Sequence, residues 1–373
     1  MFSVQGDANL GYSNRPFLPG APRSEGASAT VDVQASGRMN LWDFGRTPHA
    51  VEAARHNVTN LRESLSSVER QAVLTAATAY LAVLGDRELI ASVEATLHQR
   101  EAHLRISTGL VSAGARPPIE QVRSQVDLEA SQLDLTNAQS TELTDRASLA
   151  AALGLDPVHE IDVVPVPEEA LAADDDPSHA ADAAVASRPE FAAARARLAQ
   201  ADEQLAGAHA ARNPILSANV AGAASQTTVL AGSSISGLSA SASGGVTLAV
   251  PLFDYSIGAN IEIAEANVVA ARENLEGQSL AVRTDAVQSA LAVRASTASL
   301  NQAQRLAYEA GQNLALSEGR YQGGAAPLLE LVDAQAADEA ARIQVVRARF
   351  SLQVARVRLM ASVGGLQSLS RVR

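Results

Sequence analysis

The chain has 373 residues, a formal net charge of −12 and no cysteine. The acidic balance argues against a nucleic-acid partner, because little would neutralise phosphates, and the lack of thiols excludes disulfides, thiolate metal sites and lipidation of a cysteine within this chain. Aromatic residues are 3% and lysine does not occur; ordinary cores take much of their buried area from aromatics, so this Ala- and Leu-rich composition points to closely packed helices instead.

In chain order, Val4 to Ser13 alternates with Val4, Gly6, Ala8, Leu10 and Tyr12 on one face and Gln5, Asp7, Asn9, Gly11 and Ser13 on the other. Period two predicts a strand over about 4–13. A loop with Pro16, Pro19 and Pro22 follows. Residues 28–41 alternate without a break, Ala29, Val31, Val33, Ala35, Gly37, Met39 and Leu41 against polar or small partners, and predict a second strand. The turn Trp42-Asp43-Phe44-Gly45 comes next, with Asp43 placed to accept from the free N–H groups of a helix start.

A helix is expected over about 44–108. Val51, Ala54, Val58, Leu61, Leu65, Val68, Ala72, Thr75, Ala79, Ala82 and Leu89 step by three and four, which is a coiled-coil seam. A second stripe, Leu74, Leu81, Ile90, Leu97 and Leu104, lies off the seam and implies neighbours on both sides, as in a closed ring of helices. About 60 helical residues span roughly 90–100 Å. The segment Gly109–Gln125, GLVSAGARPPIEQVRSQ, then turns the chain into a return helix over about 118–153 that ends at Gly154.

Residues 155–187, with Pro157, Pro165, Pro167, Pro177 and the run Asp174-Asp175-Asp176, read as a connector. The run fits a solvated loop better than a Ca²⁺ site. A helix over 189–211 leads through Asn213-Pro214 into strands over about 214–226 and 238–252. The turn Phe253-Asp254-Tyr255-Ser256 opens a helix over about 256–318, and Gly319–Gln335, GRYQGGAAPLLELVDAQ, turns into a helix over about 328–363 that stops at Gly364. Residues 365–373 form a C-terminal tail.

The two hinge segments match at one constant offset: Gly109 with Gly319, Gly114 with Gly324, Pro117 with Pro327, Glu120 with Glu330, Val122 with Val332 and Gln125 with Gln335. A hinge repeated in register divides the chain into two copies of one design, 1–154 and 188–364. The second copy carries a helix ahead of its first strand, so an equivalent helix, and any signal peptide, is expected ahead of residue 1. All four strands are long enough for a membrane β-barrel, and the clear ones offer one apolar face. Four strands cannot close a barrel alone, so several chains must share one. A soluble sandwich would have a thin core with so few aromatics. No stretch of about 20 apolar residues is present for a transmembrane helix.

No phosphate loop, HExxH motif or nucleophile elbow occurs, so no enzyme, metal or cofactor is expected. His98 and His103 are five apart, on different helix faces, and read as surface histidines. Asn57-Val58-Thr59 falls mid-helix and reads as a chance glycosylation pattern.

The succession strand, strand, long helix, hinge, return helix, twice over, resembles the TolC-type outer-membrane efflux protein family across nearly the whole chain apart from the connector. The matched hinges, the Asn213-Pro214 step and the aromatic-Asp-aromatic turns carry the resemblance. It implies a mainly α fold with transmembrane β: a long coiled-coil α-barrel crossing the periplasm, and a 12-stranded β-barrel shared by a homotrimer in outer-membrane lipid. It implies a passive exit duct for small compounds or secreted proteins. The partners would be a periplasmic adaptor (membrane fusion) protein and an inner-membrane pump of RND, ABC or MFS type. The chain does not select among these, nor among drug, metal and protein substrates. The competing reading is a soluble periplasmic coiled-coil structural or adaptor protein.

By the same resemblance, the hinges form the periplasmic constriction. Glu330 and Asp333 fall where the family carries its acidic rings; three apart, they share a helix face. A trimer would gather six carboxylates, raising some pKa values and favouring cations. Tyr321 falls at a tyrosine that helps hold the closed state, with Glu120 at its acidic partner, so a Tyr321–Glu120 hydrogen bond is expected in the closed form. Gly109, Gly114, Pro117, Gly319, Gly323, Gly324 and Pro327 fall at the turns and at the surface an adaptor would cap. Two departures stand out. Arg123 occupies the position matching Asp333, and Ala326 replaces an arginine of some members while the first hinge carries Arg116.

Overall fold

The computed structural model describes residues 2–14, 25–159, 161–165, 174–229 and 237–365. The elements run β1 (Phe2–Asn14), β2 (Glu25–Trp42), α1 (Arg46–Ser112), α2 (Pro118–Ala152), α3 (Pro177–Ser187), α4 (Pro189–Ala210), β3 (Ile215–Val229), β4 (Gly237–Ala249), α5 (Tyr255–Gln322) and α6 (Leu328–Ser362). The described residues fall into two compact units, one from residues up to Val58 with Ala196–Glu273, the other from Thr59–Arg195 with the residues from Asn274 on.

In the first unit the strands form one antiparallel sheet in the order β1-β2-β3-β4, so β1 and β4 are open edges. The register lines up the apolar halves of the strands. Val33 pairs with Ala224 and Gly37 with Val220; Ala224 pairs with Ala240 and Ala218 with Val246. Residues facing each other across a ladder share a face, and that face alternates along each strand. One face therefore carries Val31, Val33, Met39, Val220, Leu238, Val246 and Leu248, all exposed, with Gln226 the one polar residue among its described side chains. The other carries Asp32, Gln34, Ser36, Arg38, Asn219, Ser241, Ser243 and Thr247. A bulge between Asn40 and Trp42 ends the regular pairing of β2 with β3. The side chains of β1 and the loop with Pro16, Pro19 and Pro22 lie outside the described residues.

Helix starts in this unit use the anticipated aspartates. Asp43 Oδ2 accepts from the Thr47 amide at 2.9 Å and from its hydroxyl, and Asp254 Oδ1 accepts from the Ser256 amide at 2.9 Å and its hydroxyl at 2.6 Å. These bonds hold both carboxyls below the ordinary aspartate value, the side-chain hydroxyl contributing most. Arg46, at the start of α1, donates to the carbonyls of Ala210 (3.2 Å), Ala211 (2.5 Å) and Asn213 (3.1 Å). A cation there satisfies carbonyls that the end of α4 leaves without intrahelical partners.

The second unit packs helices through small side chains. Ala180 and Ala184 of α3 meet Val282, Ala286, Ala290 and Val293 of α5 and Leu352, Ala355 and Leu359 of α6. A Cβ on Gly85 would stand 3.1 Å from Phe350 Cγ, so α1 approaches α6 closely there and a larger residue would have to push the Phe350 ring aside. Leu81, Val357, Met360 and Ala361 form a second cluster, and Val83, Leu149 and Val163 a third. Beside the third cluster, Asp86 has a buried Oδ2 with no hydrogen-bond partner. Burial first, then Asp145 and Glu142, pushes its carboxyl up to about 6. Glu142 is held by Arg146 (2.6 Å) and Arg87 (3.6 Å), and Arg87 also reaches Asp162 at 2.7 Å.

Two expectations need correction. The connector contains α3, while the acidic run stays in the loop ahead of it, as anticipated, and holds the helix start. Asp176 caps the helix by accepting from the amides of Ser178 (2.9 Å) and His179 (3.2 Å), ahead of Pro177 at the first helical position. The Ser178 hydroxyl and these amides pull its carboxyl down to about 2. Asp174 meets His179 at 3.2 Å and Asp175 meets Arg294 at 3.6 Å. Arg283–Asp182 at 3.2 Å and Arg188–Asp285 tie the same region to α5. No metal-holding acidic or histidine cluster occurs among the described residues. The second correction concerns the long helices, which run past Gly109 and Gly319 to Ser112 and Gln322. A glycine in a helix costs about 1 kcal/mol but keeps its backbone bonds: Ala113 N donates to Gly109 O at 3.1 Å, and Gly323 N to Gly319 O at 3.0 Å. No helix among the described residues is long and apolar enough to cross a membrane. Residues 366–373 of the expected tail lie outside the described residues.

Candidate functional site

The chain reverses at Gly114 and Gly324, which share a left-handed backbone, φ 71° and 70°. In the first hinge Gly114 N donates to Val111 O and Ala115 N to Leu110 O; in the second Gly324 N donates to Tyr321 O and Ala325 N to Arg320 O. This pair of bonds closes a helix with glycine just past its end. Pro117 (φ −67°, ψ 149°) and Pro327 (φ −71°, ψ 155°) then stand at the N-caps of α2 and α6. Both prolines and Gly109, Gly114, Gly319, Gly323 and Gly324 are exposed. A Cβ on Gly109, Gly114, Gly319 or Gly324 would meet nothing within 4 Å.

The two hinges meet through Tyr321 and Glu120. The Tyr321 hydroxyl donates to Glu120 Oε2 at 3.1 Å, with Tyr321 only 7% and Glu120 9% exposed. Burial, followed by the Glu120 charge, raises the phenol pKa and keeps it a donor. Leu314, Leu328, Leu331 and Ala334 pack with Tyr321. Arg116 completes the group: its Nη1 lies 3.6 Å from Glu120 Oε1, and its Cζ stands 4.9 Å from the centre of the Tyr321 ring. The guanidinium thus balances the buried carboxylate and makes a cation–π contact. Ala326, at the matching place in the second hinge, is buried.

Glu330 and Asp333 do not join this group. Glu330 accepts from Arg320 Nη1 at 2.6 Å, and Asp333 is exposed without an ion pair among the described residues. Arg123, on the matching turn of α2, is also exposed.

Three hinge features escaped the sequence. The Arg320–Glu330 pair spans ten positions across a turn, a spacing with no helical signal. Arg100 donates to Gln335 at 2.6 Å and to Glu339 at 3.3 Å, joining α1 to α6. His103, read as a surface residue, is half-buried, with its ring centre 6.3 Å from that of Tyr321 and Nε2 buried without a partner. Burial, then the charge of Arg100, lowers its pKa and favours the neutral imidazole. His98 is exposed and faces Glu101 at 3.5 Å.

A four-stranded sheet with one exposed apolar face, long helices and two glycine-closed hinges together cover the residues matched by the family described as outer membrane efflux protein, 3–155 and 180–365. The chain belongs to that family. The pyoverdine export outer membrane protein OpmQ of Pseudomonas aeruginosa is 27% identical over 388 residues, covering 96% of this chain and 76% of OpmQ. Protein CyaE of Bordetella pertussis is 26% identical over 389 residues, covering 96% and 78%. The outer-membrane channel OprN has the same fold, with a TM-score of 0.77 at 20% identity over 98% of this chain and 81% of that one. As a family member the protein is an outer-membrane efflux duct and not an enzyme. The soluble adaptor reading falls with this assignment.

Proposed function

We propose that three copies of this chain form one channel-tunnel, each giving four strands to a shared 12-stranded barrel, with its periplasmic end closed at the two hinges. The observation that carries this is the sheet. Its apolar face is exposed, its opposite face is polar, and its β1 and β4 edges are unpaired. In water such a sheet would aggregate; closed with two more copies in lipid, it has no free edge. The long helices then build the periplasmic tunnel. Tyr321, Glu120 and Arg116 hold the hinges together in the closed state, and Glu330 and Asp333 line the constriction. The exposed hinge glycines form the docking surface for the hairpin of a periplasmic adaptor, and an inner-membrane pump supplies the energy.

Purified protein in detergent tests the assembly. Native mass spectrometry should give a species of three chains, and that species should insert into planar bilayers as uniform conductance steps. A monomer extracted from cells without detergent would sink the proposal.

A further inference from the structure

We infer that Arg320 determines the ion selectivity of the duct by neutralising Glu330, leaving Asp333 as the one uncompensated carboxylate of the hinges. The inference rests on the reading of the hinges as the narrow end of the channel.

The charges decide the matter. The segments Gly109–Gln125 and Gly319–Gln335 hold three arginines, Arg116, Arg123 and Arg320, against three acids, Glu120, Glu330 and Asp333. Position alone suggests an acidic mouth, because Glu330 and Asp333 share a helix face. The geometry removes most of that field. Glu120 is buried and shared between Tyr321 and Arg116. Glu330 is bound by Arg320 at 2.6 Å within the same chain, so the pair does not wait for assembly.

An exposed ion pair is ordinarily weak. This one has support from both helices. Arg320 lies in the last turn of α5 and Glu330 in the first turn of α6. Each charge therefore sits at the helix end whose dipole favours it. The Schellman turn at Gly324 fixes the two ends against each other, so little side-chain freedom is lost in making the contact. Arg123, exposed on the matching turn of α2, opposes the remaining Asp333 in the formal balance. A mouth of this kind admits anionic solutes as well as cationic ones.

The test is the K⁺/Cl⁻ permeability ratio of trimers of the full chain in planar bilayers under a KCl gradient. Arg320→Gln frees Glu330 and should raise the ratio by about twofold or more, since each trimer then carries three freed carboxylates, whose field reaches about a Debye length. Glu330→Gln frees Arg320 and should lower it. The double variant should return close to wild type, and Arg320→Lys should keep the wild-type ratio. Asp333→Asn should move the channel toward anions. If Arg320→Gln leaves the ratio unchanged while Asp333→Asn shifts it, Arg320 is not the determinant and the constriction reading survives. If neither shifts it, the constriction reading itself fails.

Discussion

Tyr321 and Glu120, 201 positions apart, are joined by a buried hydrogen bond of 3.1 Å. It ties one hinge to the other, and Arg116 of the first hinge reinforces it by contacting both partners. A hydrogen bond to a charged group contributes about 1.5–3 kcal/mol, and a carboxylate left buried without its donor costs more than the bond itself. Tyr321→Phe should therefore loosen the closed hinge and increase the open fraction of bilayer channels several-fold, about tenfold for each 1.4 kcal/mol. Glu120→Gln, which keeps an acceptor, should do less. Single-channel recordings in which Tyr321→Phe stays as closed as wild type would remove the latch.

How much of this was legible in the chain differs between elements for physical reasons. Strict alternation in β2 and β4 marks a surface with one apolar side, and Gly-x-x-Pro punctuation marks both reversals, because glycine takes the left-handed backbone cheaply and proline stops the preceding helix from running on. The Tyr321–Glu120 contact was anticipated from the family's motif, not from spacing. α3 was hidden because its buried positions are alanines, Ala180, Ala181 and Ala184, which carry little hydrophobic contrast. Its prolines also look like breakers until one is seen at the first helical position. Arg320–Glu330 and His103–Tyr321 depend on how chain segments meet in space, and one sequence has no signal for that.

His103 gives the hinge a dependence on acidity. The groups around it are Arg100 on its own helix, Glu120 and Asp127 on α2, and Glu318 and Tyr321 on α5. Its pKa in the fold is depressed below the ordinary 6.5. Above that value folded and unfolded states are both neutral there. As pH falls below it, the unfolded chain takes up a proton that the folded hinge resists, so stability declines until the depressed pKa is passed. Amide protection at the ends of α1 and α5, corrected for the intrinsic exchange rate at each pH, should weaken as pH falls below about 6.5, and His103→Phe should flatten that slope. Equal slopes in both proteins would show that the imidazole does not report on the hinge.

Asp86 predicts the opposite trend. Its folded pKa, about 6, lies above its ordinary 3.8. The stabilising contribution is therefore complete below 3.8 and is lost as pH rises through about 6. At pH 7.5 the ionised carboxyl is a liability beside Asp145 and Glu142. Asp86→Asn should raise stability there by about 1 kcal/mol, a figure reduced for the part that solvent screens, and should bring no gain at pH 4. Thermal melts followed by circular dichroism in detergent at the two pH values would decide it; a loss at both would show that Asp86 serves a contact the variant breaks.

The sheet described above also sets an order of events during folding. β1 and β2 are neighbours in sequence, so their ladder, from Phe2 opposite Gly37 to Asn14 opposite Glu25, can close locally. β2 must instead pair with β3, joining Ser28 to Val229 and Asn40 to Ser217. Contacts so distant along the chain form slowly, because the loop between them must close first. Until residues 215–229 reach it, the far edge of β2 stands open. The vulnerable interval in folding is therefore the delay between closure of the β1–β2 hairpin and arrival of β3, when an unpaired strand edge is available to other chains.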